Sequence, residues 1–280
     1  MPDFAECCDP LELLDLSGRK GLVIGIANDR SLAWPAAMHF RQAGAELAVT
    51  YLNDRSRPYV APLAERLEAP IILPCDLMIP GQIETVFETI AQRWGRLDFI
   101  LHAVGSVPPA DLRGRLTDCS AAGFSQAMTV SVHSLIRMAH LAEPLMTGGG
   151  SLITLSYLGS ERVVENYNVM GPVKAALEAT VRYLAHELGP ANIRVNAISA
   201  GPVMTRAASG LTGFAGLLTA TARAAPLRRN IEADEVGRAA LLLASDYTSG
   251  ITGEVLHVDA GVHIESPVLA AVEGADKSEE

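Results

Sequence analysis

Long apolar runs are missing from this 280-residue chain: none reaches the roughly 18 residues that cross a bilayer. The opening stretch MPDFAECCDP has neither the basic start nor the apolar core of a secretion signal, so no export route or membrane partner is expected. Cysteine is scarce. Cys7, Cys8, Cys75 and Cys119 are too few and too irregular for a disulfide framework or a zinc site, and a reducing cytoplasm is the simplest home. Positive charge is short as well: 22 Lys and Arg against 32 Asp and Glu leave a formal net charge of −10. That argues against nucleic acid, whose phosphates call for a basic face. His102, His133 and His140 share no metal-ligand spacing and sit in apolar segments, where core or surface roles suffice. Neither an internal repeat nor a break in composition marks a second domain.

Hydrophobic residues, by contrast, make up 49% of the chain, enough for one large domain with a well-buried core. Strands are read at 21–26, 46–51, 70–75, 97–104, 151–156, 193–199 and 253–259. Their near-continuous apolar character predicts cover on both faces, as in a parallel sheet. Helical patterns fall at 33–43, 58–67, 81–94, about 120–146, about 168–188 and 233–244. Asp234 is placed to open the last of them and Gly44 to close the first. Such alternation builds right-handed βαβ units. The expected fold is α/β: a single-domain, Rossmann-type, doubly wound parallel sheet of about seven strands with helices on both faces. Residues 1–15 read as an N-terminal arm, 16–264 as the domain and 265–280 as a C-terminal tail. The Ala-, Gly- and Thr-rich stretch 201–230 fits either a lid, over about 205–225, or two ordinary amphipathic helices.

After the first strand comes GIANDRSLAW, Gly25 to Trp34, leading into a helix. It is no G-x-G-x-x-G fingerprint, since Ala27 and Ser31 stand near where later glycines would be. Small residues still let the backbone approach a pyrophosphate, and the helix N-terminus offers free N–H groups. At the end of the second strand a dinucleotide enzyme often keeps an acid for the ribose hydroxyls. Here the chain reads TYLND, with Leu52 first and Asp54 displaced. Arg55 and Arg57 are placed to meet a 2′-phosphate, so NADPH is not excluded; NADH is the expected cofactor. Asp76, after the third strand, is placed to accept a hydrogen bond from adenine or to cap a turn.

The stretch NYNVMGPVK, 166–174, carries Tyr167 and Lys174 seven positions apart. At about 100° per residue this is about 700°, so both side chains would share one face of a continuous helix. Pro172 lies between them and has no N–H for the carbonyl of Asn168. Either the regular helix begins near Gly171 and Tyr167 sits on a turn before it, or it begins at Tyr167 and kinks.

Together GIANDRSLAW, CDL, HAVG, LSYLGSERVVENYNVMGPVKAALEATVRYLA, GPANIRVNAISAGPVMT and GEVLHVDAG resemble the short-chain dehydrogenase/reductase superfamily. Within it they resemble the bacterial enoyl-acyl-carrier-protein reductases, over about residues 16 to 264. Most of the superfamily places tyrosine and lysine four apart, and four after Tyr167 stands Gly171. Six residues between Tyr167 and Lys174, with Tyr157 ten before Tyr167, is the enoyl reductase pattern. The resemblance implies NADH-dependent reduction of the trans-2 double bond of an enoyl thioester in fatty acid biosynthesis. It makes Tyr167 the phenol that stabilises the enolate, Lys174 the ligand of the nicotinamide ribose, and Tyr157 a supporting group at the substrate.

Matching further positions implies Gly25, Ser31 and Leu32 at the pyrophosphate, Leu52 at the adenosine, and Asp76 and Leu77 at the adenine. Val104 and Gly105 would lie under the ribose and nicotinamide, and Val203, Met204, Thr205, Arg206 and Ala207 along the carboxamide and pyrophosphate. Val107, Ala207, Leu211, Phe214 and Leu218 would meet the acyl chain, the last three from the lid. A homotetramer and an enoyl thioester on acyl carrier protein are further implications. Besides Pro172, two departures stand out. Pro35 replaces the usual glycine of the first helix, and the lid segment ASGLTGFAGLLTATA, 208–222, has no Lys or Arg, although Arg206, Arg223, Arg228 and Arg229 flank it. An acidic carrier seeks a basic surface, so a CoA thioester, another enone or carbonyl substrate, or NAD(P) binding without turnover are the alternatives.

Overall fold

The computed structural model describes residues 10–205 and 213–265. In chain order the main elements are α1 (Pro10–Leu14), β1 (Lys20–Ile24), α2 (Ala33–Gln42), β2 (Glu46–Tyr51), α3 (Arg57–Arg66), β3 (Ile71–Pro74), α4 (Gln82–Trp94) and β4 (Phe99–His102). There follow α5 (Pro109–Leu112), α6 (Ala121–Met128), α7 (Ser134–Ala142), β5 (Gly150–Ser156), α8 (Met170–Leu188), β6 (Ile193–Ala200), α9 (Phe214–Ala224), α10 (Ala233–Ala244) and β7 (Val255–Val258).

Successive residues of a strand point to opposite faces, and here both sets are apolar. Leu22, Ile24 and Leu152 pack with Phe87, Leu135 and Leu177 on one side. Val23 and Ile153 pack with Phe40, Val60 and Leu243 on the other. The result is one seven-stranded sheet in the order β3-β2-β1-β4-β5-β6-β7, with every pairing parallel. The winding reverses between β1 and β4, the place where open α/β sheets leave a ligand crevice beyond the carboxyl ends of the strands. No helix among the described residues is long and apolar enough to cross a membrane.

The expected helix over 120–146 is broken by a π turn at Thr129–His133 between α6 and α7. Beneath it His102 is fully buried, with Nδ1 at 2.8 Å from Thr154 Oγ1 and Nε2 at 2.8 Å from Ser134 Oγ. The Ser134 hydroxyl donates on to the Val130 carbonyl at 2.6 Å, so it accepts from Nε2–H. Burial, with Lys174 nearby, lowers the His102 pKa to about 3, and the ring is a neutral core link.

Helix ends follow local chemistry. Gly44, at φ 97°, closes α2 with its N–H on Arg41 O at 3.0 Å, as the glycine signal predicts. At α10 the cap is Glu232 rather than Asp234. Glu232 and Glu235 form a reciprocal capping box, and Arg229 grips Glu235 at 2.7 and 2.8 Å, drawing its carboxyl down to about 2. Asp234 turns outward to His39 and Arg238, at 2.8 and 3.0 Å.

Pro35 is the third residue of α2, where no backbone partner for an N–H is needed. There α2 crosses α10 closely: a Cβ on Gly237 would lie 2.9 Å from Ala36 N and Pro35 C. Gly237→Val is expected to cost roughly 1–3 kcal/mol by overpacking, read as a lower midpoint in a thermal melt with unchanged far-UV circular dichroism.

Candidate active site

The chain enters α8 through two asparagines in left-handed conformation, Asn166 (φ 64°) and Asn168 (φ 46°), residues that tolerate it better than most. The regular helix starts at Met170, so Tyr167 sits on the turn before it. Pro172 is then the third helical residue and breaks no bond. The Asn168 carbonyl it would have met takes the Gly171 N–H instead, at 3.1 Å. The Asn168 side chain donates to Leu112 O at 2.7 Å, tying the α5 loop over the turn.

Lys174, only 7% exposed, donates from Nζ to the Leu155 carbonyl of β5 at 2.7 Å. Burial lowers its pKa to about 8, against the opposing pull of Glu178. Tyr157 follows β5 directly, and its ring meets that of Tyr167 edge-on, centroids 4.8 Å apart. Burial raises the Tyr157 phenol to about 12. It raises Tyr167 further, with Tyr157 and Glu178 adding to the effect. Both phenols therefore stay protonated near neutral pH and serve as O–H donors.

Two glycines make this packing possible. A Cβ on Gly159 would fall 2.3 Å from Tyr167 Cδ1, and one on Gly171 would fall 3.0 Å from Gly159 O. Neither was singled out for this from the sequence. A glycine two residues after a strand-end tyrosine is the signal that was there to read.

Tyr157, Tyr167 and Lys174 all open into one cavity of ≈ 730 Å³, together with Val107, Val203 and Phe214. A second cavity of ≈ 860 Å³ reaches from there to the ends of β2 and β3. Leu32, Val104, Gly105, Leu155 and Thr205 line both, so the two form one groove along the carboxyl edge of the sheet. Gly25, Ser31, Leu52, Asp76 and Leu77 line the second.

Local geometry shows why some of these residue types are needed. Gly25 has φ 116°, and a Cβ there would sit 2.1 Å from Ala103 O. The Ser31 hydroxyl accepts the N–H groups of Ala27 and Asn28 at 2.9 and 3.1 Å, so it braces the turn and keeps its own hydrogen to donate. Asp76 Oδ1 accepts the Met78 N–H at 2.9 Å.

Of the other expected residues, Met204 is half-exposed and lines neither cavity. Arg206, Ala207 and Leu211 lie outside the described residues. On α9, Leu217 and Ala220 face the cavity with Phe214, whereas Leu218 does not line it. Val164 and Met170, not anticipated, complete its apolar wall.

Residues 25–263 match the family described as enoyl-(acyl carrier protein) reductase. The chain belongs to this family. It is 50% identical over 255 residues to an NADH-dependent enoyl-[acyl-carrier-protein] reductase, FabI, of Nostoc sp., covering 90% of this chain and 99% of that protein. It is 46% identical to enoyl-[acyl-carrier-protein] reductase [NADH] 1 of Rhizobium meliloti, over 89% of this chain and 91% of the relative. Among solved structures, the Anaplasma phagocytophilum reductase in complex with NAD superposes with a TM-score of 0.86 at 49% identity, covering 91% and 98% of the two chains. The Bacillus cereus reductase, solved with NADP+ and an indole naphthyridinone, gives 0.87 at 45% identity, over 90% and 98%.

Several stretches that carry the family resemblance are structural. In GEVLHVDAG the Asp259 carboxylate takes the N–H groups of Gly261 and His263 at 2.9 and 3.0 Å, holding a turn in which Ala260 and Gly261 have positive φ.

Two substitutions separate packing from chemistry. Gly159→Ala is expected to displace the Tyr167 ring and lower turnover by tenfold or more while the fold persists by circular dichroism. Pro172→Ala is expected to change stability by less than about 1 kcal/mol in denaturant unfolding, since no hydrogen bond depends on it.

Proposed function

We propose that this reductase uses NADH to reduce the trans-2 double bond of an enoyl thioester in fatty acid biosynthesis. The observation that carries the reading is a protonated phenol, Tyr167, and a buried ammonium, Lys174, at one end of a dinucleotide-length groove in a chain of this family. The groove fits NADH. Gly25 and the Ser31-braced turn line the groove where a pyrophosphate would lie, Leu52 offers an apolar rest for the adenosine, and Asp76 offers a carboxylate to the adenine amino group. No acid stands at the end of β2 to grip the ribose hydroxyls, so the preference for NADH rests on the relatives named NADH reductases.

NADH bound there would supply the hydride that adds to the β-carbon. Tyr167 donates its O–H to the thioester oxygen, where negative charge develops; such a donor is worth about 10²–10³ in rate. Tyr157, packed on its edge, holds that ring and lines the same wall. Lys174 binds the nicotinamide ribose and adds positive charge beside the developing enolate. Val107, Val164, Phe214 and Leu217 give the acyl chain an apolar wall and exclude water. In this reading residues 16–264 are the reductase domain, and α9 closes the acyl side of the cavity with Phe214, Leu217 and Ala220.

The substrate is carried on acyl carrier protein in this reading, as the family's description suggests, and the enzyme works in the cytoplasm as a homotetramer. Phe124, Ile136 and Tyr183, exposed on α6, α7 and α8, support that assembly as apolar side chains that further copies would cover. Sedimentation equilibrium should return four times the 29.6 kDa chain.

Mixing the protein with NADH and crotonyl-CoA, or a longer enoyl thioester, should consume nicotinamide absorbance. Tyr167→Phe should lower kcat by about 10²–10³ with NADH affinity retained. Normal NADH binding without turnover on any enoyl thioester would sink the proposal. Because the ammonium is the binding form of Lys174, NADH affinity should fall as pH climbs through about 8.

A further inference from the structure

Glu178 is a carboxylate with no part in the reaction just described, yet it is buried at 5% exposure directly behind the site. It stands one helical turn after Lys174 on α8, so the two side chains lie on the same face. Its Oε1 accepts the hydroxyls of Ser156, the last residue of β5, and of Ser160, the latter at 2.6 Å. These two serines bracket Tyr157, Leu158 and Gly159, the turn that presents one phenol and leaves space for the other. Ser160 also lies 2.9 Å from the Tyr157 carbonyl, which closes the turn on itself.

Building on the proposed reduction, we infer that Glu178 is a positioning residue: it ties down the Ser156–Ser160 turn that carries Tyr157 and sets a negative charge one helical turn from Lys174.

Burying a carboxylate is costly unless it is paired and hydrogen-bonded. Ser156 and Ser160 meet the hydrogen-bonding half of that requirement, and Lys174, one turn back on the same helix face, is the buried positive charge on its side. Other titratable groups around the pair do not compete. His102, facing from β4, is neutral, and Tyr157 and Tyr167, from the end of β5 and the turn before α8, remain protonated. Glu165 lines the cavity but is exposed to solvent. Glu178 is therefore the anion that offsets the desolvation of Lys174, and its charge acts to raise a lysine that burial draws down.

The test is Glu178→Gln, which keeps shape and loses charge, read by NADH fluorescence titration across pH and by kcat and KM with NADH and crotonyl-CoA. The fall of NADH affinity with rising pH should begin about one pH unit lower than in the parent, with kcat/KM at pH 8 reduced roughly fivefold. Glu178→Asp, which keeps the charge on a shorter arm, should restore the parent's pH dependence while kcat stays low. A purely structural role moves stability and leaves the pH dependence in place. Unchanged pH dependence in Glu178→Gln, with the fold intact, overturns the inference.

Should Glu178→Gln fail to fold, Ser160→Ala carries the turn's part. It should lower kcat several-fold without moving the pH dependence, and parent-like kcat overturns the inference. A parent that binds NADH but reduces no enoyl thioester defeats the proposed function instead, and the binding titrations still decide the role of Glu178.

Discussion

A lysine ammonium held out of water at the seam of α8 and β5 is the constraint around which this molecule is arranged. Lys174 reaches the Leu155 carbonyl at 2.7 Å, a charge-assisted bond of a kind worth about 1.5–3 kcal/mol. One bond does not offset burial of a full charge. The helix must therefore bring its own anion, and Glu178 sits one turn along. That carboxylate in turn needs donors, and Ser156 and Ser160 provide them. Strand end, turn and helix are thus coupled by the needs of two buried charges, and Tyr157 and Tyr167 are set between them.

Close contact then does the fine placement. Gly159 lets the Tyr167 ring lie against the turn after β5, and Gly171 lets α8 begin beneath it. Gly25 performs the same service at the other end of the groove, where β1 passes the backbone of Ala103. The winding reversal between β1 and β4 opens the crevice, and small residues decide how near a ligand can come to the backbone. A reaction that builds negative charge on a thioester oxygen suits such a site, because protonated phenol and ammonium are in place before the charge appears.

The fold was largely legible because it rests on patterns of short range. Apolar runs such as GLVIGI and SLITLS, alternating with amphipathic segments, announce strands covered on both sides, and the structure answers with seven parallel strands. The misreadings were local. Asp234 looked like the cap of α10, but Arg229 stabilises Glu235 and so favours the box built on Glu232. The π turn at Thr129–His133 was missed because Val130, Val132 and Leu135 carry apolar character straight through it, with no Gly or Pro to mark a break.

The seven-residue interval between Tyr167 and Lys174 was present in the sequence, and it narrowed the superfamily to one branch; chemistry and spacing are properties of the chain alone. Whether Pro172 disturbed that pair was not. The answer depended on where α8 begins, and that was set by two left-handed asparagines and by the tie from Asn168 to Leu112, far away in the chain. The partners of Lys174 were likewise invisible in one dimension. Glu178 looks like any helical glutamate until the sheet edge closes over it, since burial and proximity across elements exist only once the chain has packed.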